Sequence, residues 1–119
     1  MVRKKSSVAT VLVIAVILIV AIVIIYLRSN SSGGGVSADL AKCIGAHSQL
    51  YVQLGCEFCA KQEAIFGNSS YQYLNSTDCF YNEALCNQLG IQGTPTWIVN
   101  GTKYLGVQSI DQLKQLTGC

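Results

Sequence analysis

A chain of 119 residues has room for one small domain, and its formal charge of +2 is unevenly spread. Arg3, Lys4, Lys5 and Arg28 occupy the first 28 residues, whereas residues 36–119 carry four lysines and no arginine against six acids, a net of −2. That balance excludes a basic nucleic-acid footprint, and no internal repeat is visible.

Residues 8–27, VATVLVIAVILIVAIVIIYL, contain no charge, and as a helix this run spans about 30 Å, the thickness of a bilayer's hydrocarbon layer. A secretory signal would have a shorter apolar stretch leading into a small-residue cleavage site, but this one ends in Tyr26-Leu27-Arg28, so a retained anchor is expected. Three basic residues precede the span and one follows it, which puts the N-terminus in the cytoplasm and everything after the span outside. The expected organisation is a basic cytoplasmic N-terminus (1–7), a transmembrane helix (8–27), a flexible Ser/Gly linker (28–37) and a folded domain (38–119). The linker's SNSSGGG has nothing to bury and reaches only about 15 Å, so the domain should work near the membrane surface.

Beyond the linker, residues 37–42 suggest a short helix capped by Ser37 with Leu40 and Ala41 inward, followed by a turn at Gly45-Ala46-His47. Residues 49–54 read as a strand closed by Gly55. From 57 to 66 the period becomes helical; Phe58, Ile65 and Phe66 are expected on the core face and Lys61, Gln62 and Glu63 outside, with Gly67-Asn68 as the stop. Residues 71–74 are a strand candidate, and 82–88 a short helix. Residues 96–99 form a β-branched and aromatic strand, Asn100-Gly101 a tight hairpin into 103–105, and 109–116 a final helix capped by Ser109 with Ile110, Leu113 and Leu116 on one stripe. The order αβαβαββα, with an antiparallel hairpin at its end, predicts an α/β fold with a mixed sheet.

All six cysteines, at 43, 56, 59, 79, 86 and 119, follow the span. So small a domain gains from disulfides, and an oxidising exterior permits them, although six cysteines allow fifteen complete pairings. Cys56-Glu57-Phe58-Cys59 has the C-x-x-C spacing. A strand and glycine precede it and a helix follows, so free backbone N–H groups and the positive end of the helix dipole favour a thiolate at Cys56. Cys59, one turn on, faces the domain. Cys56 is expected to be the sulfur that attacks or is attacked, and Cys59 the resolving one. The bland alternatives are a structural disulfide or half a zinc site, for which Cys79 and Cys86, or more weakly His47, would complete the ligands.

The stretches LYVQLGCEFCAKQEAIFG and LCNQLGIQGTPTWIVNGTKYLGVQSIDQLKQLTGC resemble the thioredoxin-like domain that accompanies membrane oxidoreductases of the vitamin K epoxide reductase (VKOR) family, and more broadly the DsbA/thioredoxin-like oxidoreductases. The resemblance covers about residues 38–119. It implies a compact, glutaredoxin-sized thioredoxin-like fold and Cys56 and Cys59 as the active pair. It also implies a substrate-binding loop at Thr94 and Pro95, with Pro95 corresponding to the family's cis-proline. Exported proteins bearing thiols are the implied substrates. The implied reoxidant is a VKOR- or DsbB-like, quinone-linked integral membrane partner, with no cofactor or metal of the domain's own. Relatives often carry a bulky residue before the first cysteine and Pro-His between the two; Gly55, Glu57 and Phe58 stand there instead. Glu57 sets a like charge beside a Cys56 thiolate, so this pair should be tuned to a less extreme potential than the strongest oxidants. The thioredoxin acid six residues before the first cysteine is replaced by Leu50.

Of the other four cysteines, a Cys43–Cys119 bridge would tie both ends of the domain, stabilising it by up to about 4 kcal/mol. Relatives tend to carry cysteines at both places. Cys79 and Cys86 suit a local staple; a second exchange pair and metal ligation are the alternatives. His47 is too far along the chain from Cys56 to be read as catalytic, Trp97 is read as core or groove wall, and the tyrosines as packing residues or an exposed peptide surface. Asn30, Asn68, Asn75 and Asn100 stand in glycosylation patterns. Alternative functions are a disulfide reductase or isomerase, or a non-enzymatic membrane-tethered binding module with structural disulfides only.

Overall fold

The computed structural model describes residues 2–29 and 35–119, so half of the expected linker, with Asn30, lies outside the described residues. The chain separates into two units, Met1–Gly33 and Gly34–Cys119.

The first unit is one helix, α1 (Val2–Ser29). Within it Ser7–Arg28, 22 residues with mean hydropathy 3.6, is long and apolar enough to cross a membrane. Val and Ile dominate this segment and are mediocre helix formers in water. In lipid every backbone N–H and C=O must be satisfied within the segment, which makes a helix the only single-segment solution.

The second unit contains α2 (Ala38–His47), β1 (Gln49–Val52), α3 (Glu57–Phe66), α4 (Asn68–Tyr71), β2 (Ser76–Asp78), α5 (Glu83–Leu89), β3 (Thr96–Val99), β4 (Thr102–Leu105) and α6 (Ile110–Thr117). The sheet order is β2-β1-β3-β4, with β1 and β2 parallel and the β1–β3 and β3–β4 pairs antiparallel. This is a mixed α/β fold preceded by one apolar helix, an arrangement consistent with a thioredoxin-like fold. Ala41, Ile44, Leu50, Phe66, Leu74, Trp97 and Leu113 form the core, with the Phe66 and Trp97 rings 6.0 Å apart.

Local chemistry sets the boundaries. The Ser37 and Ser109 hydroxyls accept from the N–H groups of Leu40 and Gln112, so both expected caps are present. Asn100 and Gly101 have φ of 51° and 78°, the paired left-handed geometry that matches the twist of a two-residue hairpin.

Three sequence expectations fail. Residues 71–74 are not a strand: the Ser70 and Tyr71 N–H groups donate back to the Gly67 carbonyl, making α4, and the strand begins at Ser76 after Leu74 has entered the core. Turn chemistry there outweighs aromatic β-propensity. The Gly45-Ala46-His47 turn is instead the last turn of a longer α2, and Gly45 is a contact residue, since a Cβ there would overlap the Tyr73 carbonyl oxygen. On α3 the faces are partly exchanged. Phe58 is 57% exposed and Gln62 fully buried, because the inward stripe runs through Cys59, Gln62 and Phe66.

Both polar atoms of the buried Gln62 amide have partners. Its Oε1 accepts from Trp97 Nε1 at 3.0 Å and from the Gln108 N–H at 2.7 Å, while its Nε2 donates to the Gln108 carbonyl at 3.1 Å. One amide thus joins α3, β3 and the segment before α6. Gln62→Leu preserves the bulk but strips two buried donors of their acceptor, so it should lower the unfolding free energy by roughly 2–4 kcal/mol. Denaturation of the full chain in detergent, followed by the fluorescence of Trp97, measures this; a loss below about 1 kcal/mol would remove the amide from its joining role.

Candidate active site

Cys56 closes the loop after β1 and is the N-cap of α3. Its Sγ accepts from the Cys59 N–H at 3.1 Å, and the Ala60 N–H donates to its carbonyl at 3.2 Å. The sulfur therefore occupies the place of a capping oxygen, facing N–H groups that have no helical partner. Cys56 and Cys59 form a disulfide with Cα atoms 5.2 Å apart. Cys56 is partly exposed while Cys59 is only 7% exposed, so an incoming thiolate reaches the outer sulfur first.

The loop carrying Cys56 is held by one carboxylate. Asp78 Oδ1 accepts from the N–H groups of Leu54 (3.2 Å) and Phe80 (2.8 Å), tying the β1–α3 loop to the β2–α5 loop. On the far side, Cys56 Sγ lies 3.4 Å from the Thr94 carbonyl oxygen, and the Thr94–Pro95 peptide bond is cis. Pro95 is buried, and its carbonyl accepts from the Gly106 N–H at 2.8 Å, which anchors the loop to the end of β4.

Two clefts flank the disulfide. One of about 630 Å³ is lined by Cys56, Cys59, Glu63, Tyr71 and Asp78. The other, about 410 Å³, runs from Thr94 past Gln53 to Phe80, Cys79 and Cys86. Burial holds the Tyr71 phenol above its ordinary value of 10.0, with the charges of Glu63 and Asp78 acting in the same direction and a Ser76 hydrogen bond opposing them, so this wall of the first cleft stays protonated. Leu54, Phe58 and Phe80 expose 59%, 57% and 57% of their surface near this end of the sheet. Glu57 and Phe58 both face outward. Lys61 Nζ sits 3.6 Å from Glu57 and 4.8 Å from the Phe58 ring centre. At this exposure the ion pair contributes little to stability.

The remaining cysteines are also bridged. Cys79–Cys86 joins the end of β2 to α5, and Cys43–Cys119 joins α2 to the residue beyond α6. His47 is beside the latter bridge, its Nδ1 donating to the Cys43 carbonyl at 2.8 Å. The structure therefore does not group Cys79, Cys86 or His47 with the Cys56–Cys59 pair into a zinc site. Sequence reasoning missed Gln62, although its place three residues after Cys59 on a helical stripe was the available signal.

No protein-family model matches the chain. It is 31% identical over 83 residues to "Thiol-disulfide oxidoreductase LTO1" of Arabidopsis thaliana, an alignment covering 63% of this chain and 22% of that protein. The chain thus spans less than a quarter of that relative's length. Among solved structures, the NTD_N/C domain of the alkylhydroperoxide reductase AhpF from Enterococcus faecalis is similar with a TM-score of 0.43 and 21% identity. That match covers 72% of this chain and 46% of that one; likeness at this level carries no conclusion.

Glu57 stands next to the capping sulfur with an exposed carboxylate. In the reduced protein Glu57→Gln should raise the rate at which Cys56 is alkylated by iodoacetamide near neutral pH, because removing a like charge increases the thiolate fraction. Mass-spectrometric rates for Cys56 in the two proteins check this, and an unchanged or slower rate would rule the charge out as a tuning element.

Proposed function

We propose that this chain is a membrane-anchored thiol–disulfide oxidoreductase whose Cys56–Cys59 pair exchanges disulfides with exported proteins. In this reading residues 38–119 are a compact, glutaredoxin-sized thioredoxin-like domain, residues 28–37 its linker, and residues 8–27 an anchor with the N-terminus (1–7) in the cytoplasm. The observation that carries the reading is the asymmetry of the pair: the reachable sulfur caps a helix, and its partner is buried one turn along. Likeness to a protein described as a thiol–disulfide oxidoreductase supports the same chemistry.

The steps follow from that asymmetry. A substrate thiolate attacks Cys56 Sγ, the Cys56–Cys59 bond breaks, and Cys59 leaves as a thiolate that takes a proton. A second substrate thiolate then attacks the substrate sulfur of the mixed disulfide, expelling Cys56 as a thiolate. The substrate is oxidised by two electrons and the pair is reduced. The expelled anion is received by the Cys59 N–H and the positive end of α3. Thr94 and Pro95 form the wall against which a substrate backbone would lie, and the exposed Leu54, Phe58 and Phe80 offer apolar contacts around it. Reoxidation falls to a VKOR- or DsbB-like membrane enzyme linked to quinone, consistent with one apolar helix holding the domain to the membrane.

Cys59→Ala leaves Cys56 without its resolving partner and should accumulate mixed disulfides. Isolated from membranes, these should contain exported thiol proteins and one integral membrane oxidoreductase, and should vanish in Cys56→Ala/Cys59→Ala. Absence of captured protein, together with no thiol exchange by the unmodified chain on a model disulfide such as insulin, would leave only a tethered binding module.

A further inference from the structure

At the other end of β1 from Cys56, two helices finish side by side. His47 is the last residue of α2, and Cys119 follows Gly118, the left-handed cap of α6, with α2 packed against α6. The Sγ atoms of Cys43 and Cys119 lie 3.9 and 4.0 Å from His47 Nδ1, and the three ligand atoms fall within 4.8 Å of one another. All three residues reach the surface.

We propose that this cluster is a redox-gated site for a thiophilic tetrahedral cation of the Zn²⁺ class, closed as the Cys43–Cys119 disulfide and opened by a dithiol. The reaction balances as follows: disulfide, dithiol and Zn²⁺ give the zinc bis-thiolate, the oxidised dithiol and two protons. Two thiolates and one imidazole are a familiar zinc donor set, with the fourth position left to water. Tetrahedral zinc holds its sulfurs about 3.8 Å apart, from Zn–S bonds of ~2.3 Å. Side-chain rotation reaches that separation from Cα atoms 6.0 Å apart. His47 must give up its bond to the Cys43 carbonyl and carry its proton on Nε2 instead, leaving Nδ1 free to coordinate.

The surrounding field selects a cation. Both α2 and α6 direct their carbonyl ends here, so bare thiolates are disfavoured and a metal that neutralises them is favoured. Cys56 is the reverse case, a sulfur at a helix N-terminus.

The test uses the full chain in detergent with Cys56→Ser/Cys59→Ser, which removes the exchange pair. After reduction, Co²⁺ is titrated as the probe and its thiolate charge-transfer band is read. The band should appear, should persist when Cys79→Ser/Cys86→Ser is added, should be lost with Cys119→Ser, and should need at least tenfold more cobalt with His47→Ala. No band, or one that follows Cys79 and Cys86 and ignores His47, overturns the site. A second measurement needs no substitution: the redox midpoint of Cys43–Cys119 in the wild-type chain, read by differential alkylation with and without Zn²⁺. It should rise by about 30 mV for each tenfold of zinc concentration above the dissociation constant. An unmoved midpoint overturns the proposal independently.

Discussion

The buried amide of Gln62 is the joint on which the geometry around Cys56 depends. Its two accepted hydrogen bonds come from β3, through Trp97, and from the segment before α6, through Gln108. Trp97 is two residues beyond Pro95, and Gln62 is one turn beyond Cys59, so the amide fixes the helix capped by Cys56 against the strand that follows the cis-proline. The 3.4 Å approach of Cys56 Sγ to the Thr94 carbonyl follows from that fixation. Asp78 completes it from the opposite side by gripping the loop at Leu54.

The three disulfides differ in what the backbone presents to them. Cys56 meets N–H groups at the start of a helix, a setting that favours a thiolate over a thiol once the bridge is reduced. Cys43 lies one turn before the end of α2 and Cys119 just past the cap of α6, so their bridge is near two helix ends that present carbonyls, a setting that disfavours thiolates. Cys79 and Cys86 bridge β2 to α5, with Cys86 4% exposed, and act as a brace for one wall of a cleft. Helix polarity therefore distinguishes the two bridges within a single small unit, one sulfur facing free N–H groups and the other pair lying near helix ends that present carbonyls.

The element order was readable because the local signals were strong: serine caps, an Asn-Gly hairpin and a change of period after Cys56 each act within a few residues. What escaped depends on contacts far apart in the chain. The helical stripe through Cys59 and Phe66 points to Gln62, but its burial is made tolerable only by Trp97 and Gln108, 35 and 46 residues away. Gly45 reads as a turn until the Tyr73 carbonyl is seen to occupy the space of its missing side chain. His47, remote from Cys56 in sequence, acquires a neighbourhood only when α2 and α6 pack and bring Cys119 to it.

Among the described residues, the polar side chains enclosed in the second unit are Ser48, Gln62, Ser70, Thr96 and Gln108, and none carries a charge at any ordinary acidity. The position six residues before Cys56 is likewise uncharged, the buried aliphatic Leu50. The hydrogen bonds enclosed in this core therefore involve side chains that neither gain nor lose a proton near neutrality.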